Sequence, residues 1–245
     1  SFLVNPKAKF VLRLKQKQKI ARDTFSFLFE KPEDLKFTPG QFLEWTLPHK
    51  NPDSRGNRRY FTIASSSTEE FIMLTAKIYD KSSSFKKALL AMKTGDQIIA
   101  SNLDGEFILS PDPSKSCVFI AGGIGITPFR SMIKYLLDKK LSRPITLLYS
   151  NKNKDEITFE DIFEEYKKAF GLKTVYTLTD DVPQGWKVRK GYINEAMIKQ
   201  EAPDYKNKLF YISGPQLMVQ SFRKMLISMG VDKNTIKTDY FPGYE

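Results

Sequence analysis

Residues 117–129, CVFIAGGIGITPF, determine how the second half of the chain folds. An apolar run of strand length leads into a turn with three closely spaced glycines, Gly122, Gly123 and Gly125. Thr127 suits the N-cap of a following helix, and Pro128 suits its first position, where the missing N–H costs nothing. Glycines permit close approach of a ligand, and the free N–H groups at a helix start favour a phosphate. The stretch predicts a buried strand, an anion-binding turn and a helix, although it lacks the GxGxxG fingerprint and a turn needed only for packing would look the same.

Strands and helices alternate through the rest of this half. Helix-length amphipathic segments cover 128–140, 157–170, 193–200 and 215–230, and short apolar segments typical of strands cover 144–150, 174–180, 209–214 and 235–241. Such alternation predicts an α/β domain whose parallel sheet is joined by right-handed crossovers.

The first half of the chain consists mostly of strand-like segments, over 9–21, 24–30, 41–48, 58–66, 71–80 and 96–103. They are separated by turns rich in Pro, Gly, Asp and Ser, and only SSSFKKALLAMK (82–93) has helical spacing. Many short strands with one helix predict an antiparallel barrel. Because SPDPSKS (110–116) separates the two patterns, we expect two domains, 1–111 and 112–245.

The composition limits the chemistry that the protein can perform. Its 245 residues are 41% hydrophobic and 13% aromatic, which excludes a mainly disordered chain. One cysteine, Cys117, and one histidine, His49, exclude an internal disulfide framework, a thiolate-held iron–sulfur cluster and a zinc site of His and Cys. We therefore expect no bound metal, and any redox chemistry must come from an organic cofactor.

Targeting signals are not recognisable in the sequence. The longest apolar run, 117–129, is too short to span a membrane, and the first residues lack the apolar length of a signal peptide. We expect a cytoplasmic protein, or the cytoplasmic domain of a larger membrane-associated one.

Four segments, in order along the chain, resemble motifs of the ferredoxin–NADP reductase superfamily. GGIGITP (122–128) is similar to its GGxGxTP pyridine-nucleotide motif, and RRYFTIASS (58–66) to its RxY[ST] flavin motif. KSSSFKKAL (81–89) resembles its flavin-pyrophosphate segment, and YISGPQLMV (211–219) its CGPxxM motif. The resemblance covers nearly the whole chain. It implies an N-terminal antiparallel Greek-key β-barrel that binds FAD, followed by a C-terminal α/β Rossmann-like parallel sheet that binds NADH or NADPH; FMN in place of FAD stays open.

The resemblance implies roles for residues of the barrel. Arg59 would neutralise the flavin pyrophosphate, Phe61 would lie against the isoalloxazine where relatives have Tyr, and Thr62 would bond near flavin N5. The other implied flavin contacts are Tyr60 on the same strand, Lys77 near the adenosine half, and Ser82, Ser83 and Ser84 near the second phosphate. Without the resemblance, Phe61 would be an ordinary core residue and the serines plain helix caps.

The resemblance also implies a nucleotide-binding set in the α/β half. The glycine turn would bind the pyridine nucleotide together with Thr127 and Pro128. Gly214 and Pro215 would provide a second point of close approach, at the carboxyl end of a strand, where ligands of such sheets bind.

Three residues are candidates for a catalytic role: Thr62, Ser213 and Phe241. Ser213 stands where relatives have Cys beside the nicotinamide. Either Phe241 or Tyr244 would cover the second face of the flavin; we favour Phe241, although packing of the last strand would explain either aromatic.

The implied function is a flavin-dependent oxidoreductase that transfers hydride between NAD(P)H and FAD. Electrons would then pass to or from a separate one-electron carrier. The net charge of +11 favours an acidic carrier such as a ferredoxin or flavodoxin, and a fused membrane redox module is the other option. The alternative reading is a reductase component for an oxygenase, a haem or a ferric acceptor, and a degenerate, non-catalytic domain also stays open. Nucleic-acid binding is disfavoured, because the lysines are scattered and no recognition motif is present.

The preference for NADH or NADPH depends on the charges that follow the second strand of the α/β half. A 2′-phosphate needs a cation there, which Lys152 and Lys154 could supply, but Asn151 stands where NADP-preferring relatives have Arg. Asp180 and Asp181 would repel a phosphate if they face it. We favour NADH.

Overall fold

Two six-stranded sheets, one from each half of the sequence, make up the part of the chain that the structure describes. The structure is a computed structural model that describes residues 8–180, 182–186 and 188–241, with the backbone alone for Phe241. Its first sheet is antiparallel and its second is parallel. The predicted fold class, an antiparallel barrel followed by a Rossmann-like parallel sheet, is confirmed.

The first sheet has the strand order β4-β3-β6-β1-β2-β5. Its strands are β1 (Lys9–Ala21), β2 (Thr24–Glu30), β3 (Phe42–Thr46), β4 (Arg58–Thr62), β5 (Phe71–Lys77) and β6 (Gln97–Asp104). The long β1 pairs with β6 through its first half and with β2 through its second half. The backbone hydrogen bond from Ala64 N to Met73 O (2.8 Å) joins the segment after the edge strand β4 to the other edge strand, β5, and helps to close the barrel.

Alternation along these strands separates the barrel core from solvent. In β1, Phe10, Leu12 and Leu14 are buried, and the residues between them are exposed. Helix α1 (Ser84–Ala91) follows β5, and it buries Phe85 and Leu89 in the same core. Its first turn is therefore held rigidly against the barrel.

The second sheet has the strand order β10-β9-β8-β7-β11-β12. Its strands are β7 (Cys117–Gly122), β8 (Ile145–Asn151), β9 (Lys173–Leu178), β10 (Arg189–Lys190), β11 (Leu209–Pro215) and β12 (Ile236–Phe241). The helices are α2 (Thr127–Asp138), α3 (Glu160–Phe170), α4 (Glu195–Glu201) and α5 (Gln216–Ser228). One face of the sheet packs on α2 and α3, and the other packs on α4 and α5. The chain leaves the central β7 first towards β8 and later towards β11, so the carboxyl ends of β7 and β11 flank a topological switch point.

The start of α2 differs from the sequence prediction by one residue. A 3₁₀ turn over Gly123–Ile126 links β7 to α2, and Thr127 already has helical backbone angles (φ −57°, ψ −45°). Its hydroxyl donates to Ile124 O (3.1 Å) instead of accepting a bond from the helix start. The prediction of Thr127 as N-cap is therefore wrong: Thr127 is the first residue of the helix and Pro128 the second.

Polar contacts fix the barrel against the α/β half. The Arg130 guanidinium, from α2, binds both carboxylate oxygens of Glu69 and donates to Ala64 O (3.1 Å). Ser131 on the same helix donates to Ser65 O (2.6 Å). The helix that follows the glycine turn is thus fastened to the segment that follows β4. Among the residues described, no helix has the length and apolar content needed to cross a membrane.

Candidate functional site

The glycine turn after β7 combines a tightly packed side with an open side. A Cβ on Gly125 would lie 2.3 Å from Ser213 O, so only glycine lets the turn pack against β11. Gly123 has a left-handed φ of +50°, and a Cβ there would meet no atom of the described residues within 4 Å. The turn is closed towards β11 and open at Gly123, which is the arrangement that a ligand lying on its backbone requires. Gly122 and Gly214 pack against Met218 on the same closed side.

Three polar side chains meet where the ends of β4, β11 and β12 approach each other. Ser213 is fully buried, and within the part of the chain that the structure describes its hydroxyl has no hydrogen-bond partner. Asp239 is opposite Ser213 in the parallel register of β11 and β12, and the side chain of Thr62, from the barrel, lies close enough to its carboxyl to lower the pKa of that carboxyl. The structure therefore brings together Thr62 and Ser213, which the sequence predicted from separate motifs.

Asp239 is a polar residue of this group that the sequence reasoning missed. Withdrawal from water raises the pKa of its carboxyl to about 6, and the nearby Thr62 side chain opposes this shift only in part. The signal was an acidic residue inside the apolar last strand, TIKTDYF, at the position paired with Ser213. A carboxyl with this pKa can hold or release a proton near neutral pH.

A small cleft lies between the barrel and the glycine turn. Thr24 and Lys77 line it from the barrel, and Gly123, Ile124, Tyr149, Asn151, Glu156 and Thr158 line it from the α/β half. Asn151 is only 4% exposed, and among the described residues its amide makes no hydrogen bond of good geometry, although it lies close to the Tyr149 hydroxyl. A buried amide without a well-formed hydrogen bond is costly, so its position beside the open glycine fits a polar ligand. Lys77, expected near the flavin, contacts Glu156 across this cleft (3.0 Å).

Arg59 lies in a network with the loop before β4. Its guanidinium donates to Asp53 Oδ1 (3.1 Å), and it lies over the Phe85 ring, 5.5 Å from the centroid. Asp53 Oδ2 accepts the backbone N–H of Ser84 (3.0 Å), at the start of α1. The backbone hydrogen bonds from Ser84 and Arg55, together with the nearby Arg59 charge, outweigh the effect of burial and hold the pKa of Asp53 below its usual value. Asp53 thus joins two of the predicted pyrophosphate contacts, Arg59 and Ser84.

The predicted serines cluster at the start of α1. Ser83 is the N-cap, and its hydroxyl accepts the N–H of Lys86 (3.3 Å). Ser82 accepts the N–H of Tyr79 (3.0 Å), and the Ser84 hydroxyl is bonded to His49 Nε2 (3.0 Å). These hydroxyls organise the loop and the helix start, and Ser84 shares the carboxylate of Asp53 with Arg59.

Phe61 and Tyr60 separate because successive side chains of a strand point to opposite faces. Phe61 is buried, with its ring 5.9 Å from that of Phe85. Tyr60 is 57% exposed and donates its hydroxyl to Glu44 (2.7 Å). The structure brings Phe61 together with Arg59 and α1, and it does not bring Tyr60 into that group.

The last predicted contacts lie at the end of β12. The backbone of Phe241 is in register with Pro215, so this strand runs to the end of β11. Tyr244 lies outside the described residues, as does Asp181.

Near the end of β8, an acidic side chain is held in place by hydrogen bonds, whereas a basic one contacts an aromatic ring. Asn153 donates to Asp180 Oδ2 (3.4 Å), and the backbone N–H of Asp180 donates to Lys152 O (3.0 Å). The Lys154 ammonium lies over the ring of Trp186, 4.5 Å from its centroid. A carboxylate is therefore held beside the end of β8, and one of the two candidate lysines is directed to an aromatic ring.

Comparisons with known proteins agree with this geometry. The family of the oxidoreductase FAD-binding domain matches residues 11–107, and that of the oxidoreductase NAD-binding domain matches residues 119–224. Flavohemoprotein A of Dictyostelium discoideum is 30% identical over 234 residues, which cover 88% of this chain and 56% of that protein. NADH-cytochrome b5 reductase 1 of Aspergillus terreus is 25% identical over 241 residues, which cover 94% of this chain and 81% of that protein.

Among solved structures, the cytochrome P450 reductase GcoB of Amycolatopsis superposes with a TM-score of 0.83 at 22% identity, covering 96% of this chain and 71% of that one. The predicted cofactors, FAD and a pyridine nucleotide, are confirmed by the two matched domains. The chain therefore consists of an oxidoreductase FAD-binding domain followed by an oxidoreductase NAD-binding domain, and its fold is that of the ferredoxin–NADP reductases.

Proposed function

We propose that this chain is an NADH-dependent reductase that passes electrons from FAD to a separate one-electron carrier. The observation that carries the proposal is the meeting of Thr62, Ser213 and Asp239 beside the open glycine turn, between the two sheets. When bound, FAD supplies the conversion of a two-electron donor into a one-electron donor, which no side chain of this chain can provide. We place the boundary between the two domains at residues 111 and 112.

The barrel would hold the flavin by charge and by an apolar surface. Arg59 and the serines at the start of α1 (Ser82, Ser83 and Ser84) would bind the diphosphate, since a helix start and a guanidinium both favour anions. Phe61 would supply the flat apolar contact. Tyr60 donates to Glu44, so any contact with the flavin would come from its ring.

Thr62 and Asp239 would serve the reactive edge of the flavin. Together they hold a titratable proton at the boundary of the two sheets. Ser213 would turn its hydroxyl, which has no partner among the described residues, towards the nicotinamide. Phe241 would shield the flavin ring from water until the nucleotide enters. Tyr244 stays the alternative to Phe241.

The α/β half would hold the nucleotide along the carboxyl ends of its strands. The diphosphate and nicotinamide ends of the nucleotide would be lined by the residues of the two turns: Gly122, Gly123, Gly125, Thr127, Pro128, Gly214 and Pro215. The buried amide of Asn151, in the wall of the cleft, would hydrogen-bond the nucleotide, and Lys77, across the cleft, would lie near the adenosine half of the flavin.

Preference for NADH follows from the charges at the end of β8. Asp180 would repel the 2′-phosphate of NADPH, and Lys154 is drawn away towards Trp186. Replacing Asp180 by Asn should therefore raise kcat/KM for NADPH about tenfold and leave kcat/KM for NADH within about twofold. Steady-state kinetics with both nucleotides checks this, with the exposed Glu165→Gln on α3 as control. Unchanged NADPH kinetics in the Asp180 variant would show that this carboxylate does not face the nucleotide.

We infer that the electron acceptor is an acidic carrier. The net charge of +11 would steer such a partner to the surface, and salt would weaken this steering. A haem protein is the second candidate, because the two relatives named above are a flavohemoprotein and a cytochrome b5 reductase. The chain spans only 56% of the flavohemoprotein, so the partner and the activity of the whole protein are proposals. We expect the protein to act in the cytoplasm.

The purified protein tests the proposal directly. Its visible spectrum should show an oxidised flavin that bleaches when NADH is added without oxygen, and more slowly with NADPH. Reoxidation by a panel of a ferredoxin, a flavodoxin, cytochrome b5 and ferric citrate, at low and high salt, then identifies the class of acceptor. A colourless protein that takes up no added FAD would contradict the proposal.

A further inference from the structure

Two rows of side chains run across the outer face of the barrel sheet. Directly paired residues of antiparallel strands point to the same side of a sheet, so the register of β4, β3, β6 and β1 shows which side chains share this face. One row holds Arg58, Thr46, Ile99 and Val11, the next holds Tyr60, Glu44, Ser101 and Lys9, and Arg13 with its partner Gln97 lies one step beyond Val11. We call these residues the β4–β1 face.

The β4–β1 face is positively charged. The side chain of Arg58 is 66% exposed, and Lys9 and Arg13 are exposed as well. Within these described residues, Glu44 is the one carboxylate. It is only 7% exposed, with the Tyr60 hydroxyl (2.7 Å) and Arg58 (3.8 Å) as partners. An approaching molecule therefore meets three exposed cations and a covered carboxylate.

Apolar side chains are exposed among these cations. Val11 is 60% exposed and Tyr60 57%, and they are the two most exposed large apolar residues in the described part of the barrel. Tyr60 is held in place, because its ring meets that of Phe42 edge-on, 5.7 Å between centroids, and its hydroxyl is bonded to Glu44. A fixed aromatic loses little conformational freedom when a partner covers it, and Tyr and Arg carry much of the binding energy of protein interfaces. The face thus has the composition of a protein docking surface.

The β4–β1 face begins at the strand that the flavin is expected to contact. Arg58, Tyr60 and Thr62 alternate along β4 and point to the same side, and Thr62 is the residue proposed to serve the reactive edge of the flavin. Tyr60 is two residues from Thr62, about 7 Å along the strand. A protein that covers this face would therefore lie next to the source of electrons.

We propose that the β4–β1 face is the docking surface of the acidic one-electron carrier. The inference rests on the proposed function, since it gives that carrier a place on the barrel. Three exposed cations around exposed apolar side chains match a partner whose acidic residues surround an apolar contact. Even with the exposed Asp104 of the neighbouring row, the face keeps an excess of positive charge. The adjoining flavin site selects an electron carrier over other anionic partners, because only such a partner makes use of this position.

The experiment reverses two charges of the face in the double variant Lys9→Glu, Arg13→Glu. Its matched control is Lys168→Glu, Lys233→Glu, which makes the same change in net charge at exposed positions of the α/β half. Each protein, loaded with FAD, reduces a ferredoxin or cytochrome b5, both acidic, with NADH as donor at low and high salt. Menadione, a small uncharged quinone, replaces the protein acceptor in a parallel assay.

We expect the reversal at Lys9 and Arg13 to lower kcat/KM for the protein carrier about tenfold to a hundredfold at low salt, and less at high salt, because salt screens the repulsion. The control pair should lower it less than about threefold. Val11→Ser should raise the KM for the carrier at both salt concentrations, because it removes apolar contact rather than charge. Reduction of the flavin by NADH and turnover with menadione should be unchanged in all variants.

The inference is overturned if the reversed pair reduces the carrier as fast as the wild type, or loses no more activity than the control pair, because the charge of the whole molecule would then explain the result. A wild-type dimer in sedimentation velocity that Val11→Ser dissociates would also overturn it, since a second copy would then occupy the face. A wild type that is reduced by NADH but passes electrons to neither carrier would instead overturn the proposed function.

Discussion

Asp239 is a residue whose burial lowers the stability of the protein and whose carboxyl is suited to the chemistry of the site. Its carboxyl lies at the boundary of the two sheets with the side chain of Thr62 close to it. A carboxyl that is expensive to ionise in the folded protein is a poor choice for stability, and such groups cluster at functional sites. The residue is therefore better explained by the chemistry of the cleft than by the packing of β12.

The stability of the protein should depend on Asp239 in a defined pH window. The folded pKa is raised from 3.8 to about 6, so the folded state loses stability as the pH rises from about 4 through 6. Replacing Asp239 by Asn should raise the free energy of unfolding by about 1–3 kcal/mol at pH 8 and change it little at pH 4. Urea unfolding at both pH values measures this, with Glu165→Gln as control.

The same variant should be impaired in turnover, because Asn cannot hold or release a proton beside Thr62. A variant that is more stable at pH 8 and slower with NADH would support a functional role for Asp239. If the substitution changed the free energy of unfolding by the same amount at pH 4 and pH 8, the carboxyl would ionise as freely in the folded as in the unfolded chain.

At the scale of elements, the loop before β4 and helix α1 act as one unit. Asp53 accepts bonds from Arg59 and from the Ser84 N–H, and the Ser84 hydroxyl accepts the N–H of Asp53 (2.9 Å). His49 on the incoming chain completes the network through Ser84. The loop therefore aligns the guanidinium with the helix start that the flavin diphosphate is expected to use.

Substitution of Asp53 by Asn should weaken FAD binding about tenfold, since Arg59 and the start of α1 would lose their common partner. Fluorescence titration of the flavin-free protein measures the change, and Ser54→Ala, an exposed neighbour in the loop, is the control. If Asp53 instead occupied the place of a phosphate, the Asn variant would bind FAD more tightly than the wild type. The sign of the change thus decides between a positioning role and competition.

Helices and strands with a clear hydrophobic period could be predicted from the sequence. Very short elements, and elements that depend on contacts with distant parts of the chain, could not. The strands of the barrel and the helices of the α/β half follow the expected segments, because alternation and helical spacing are local properties. The two-residue β10 and the 3₁₀ turn at Gly123–Ile126 have no such signal. The same limit applies to the site. Thr62 and Ser213 belong to motifs, whereas Asp53 and Asp239 gain meaning only from partners distant in sequence, and the burial of the Asn151 amide in the cleft wall has no local signal.

At the scale of the whole molecule, buried polar contacts help to set the relative position of the two sheets. Arg130 and Glu69 are both largely buried, and they join α2, which follows the glycine turn, to the segment that follows β4. The nucleotide-binding turn and the flavin-binding strand are thereby fixed in one orientation. A cleft whose two walls come from different halves of the chain requires such a contact.

Breaking this pair should therefore affect both stability and electron transfer. Arg130→Met leaves the Glu69 carboxylate buried without its partner, and should lower the free energy of unfolding by about 3–5 kcal/mol. The double variant Arg130→Met, Glu69→Met should recover much of that loss, because no uncompensated charge remains. Lys167→Met, which breaks the exposed pair with Glu164 on α3, should cost less than about 1 kcal/mol. Reduction of the flavin by NADH should be slower in the double variant even where its stability is restored, because the apolar pair no longer fixes α2 to the backbone of Ala64. A double variant that is reduced as fast as the wild type would show that other contacts set the orientation of the two halves.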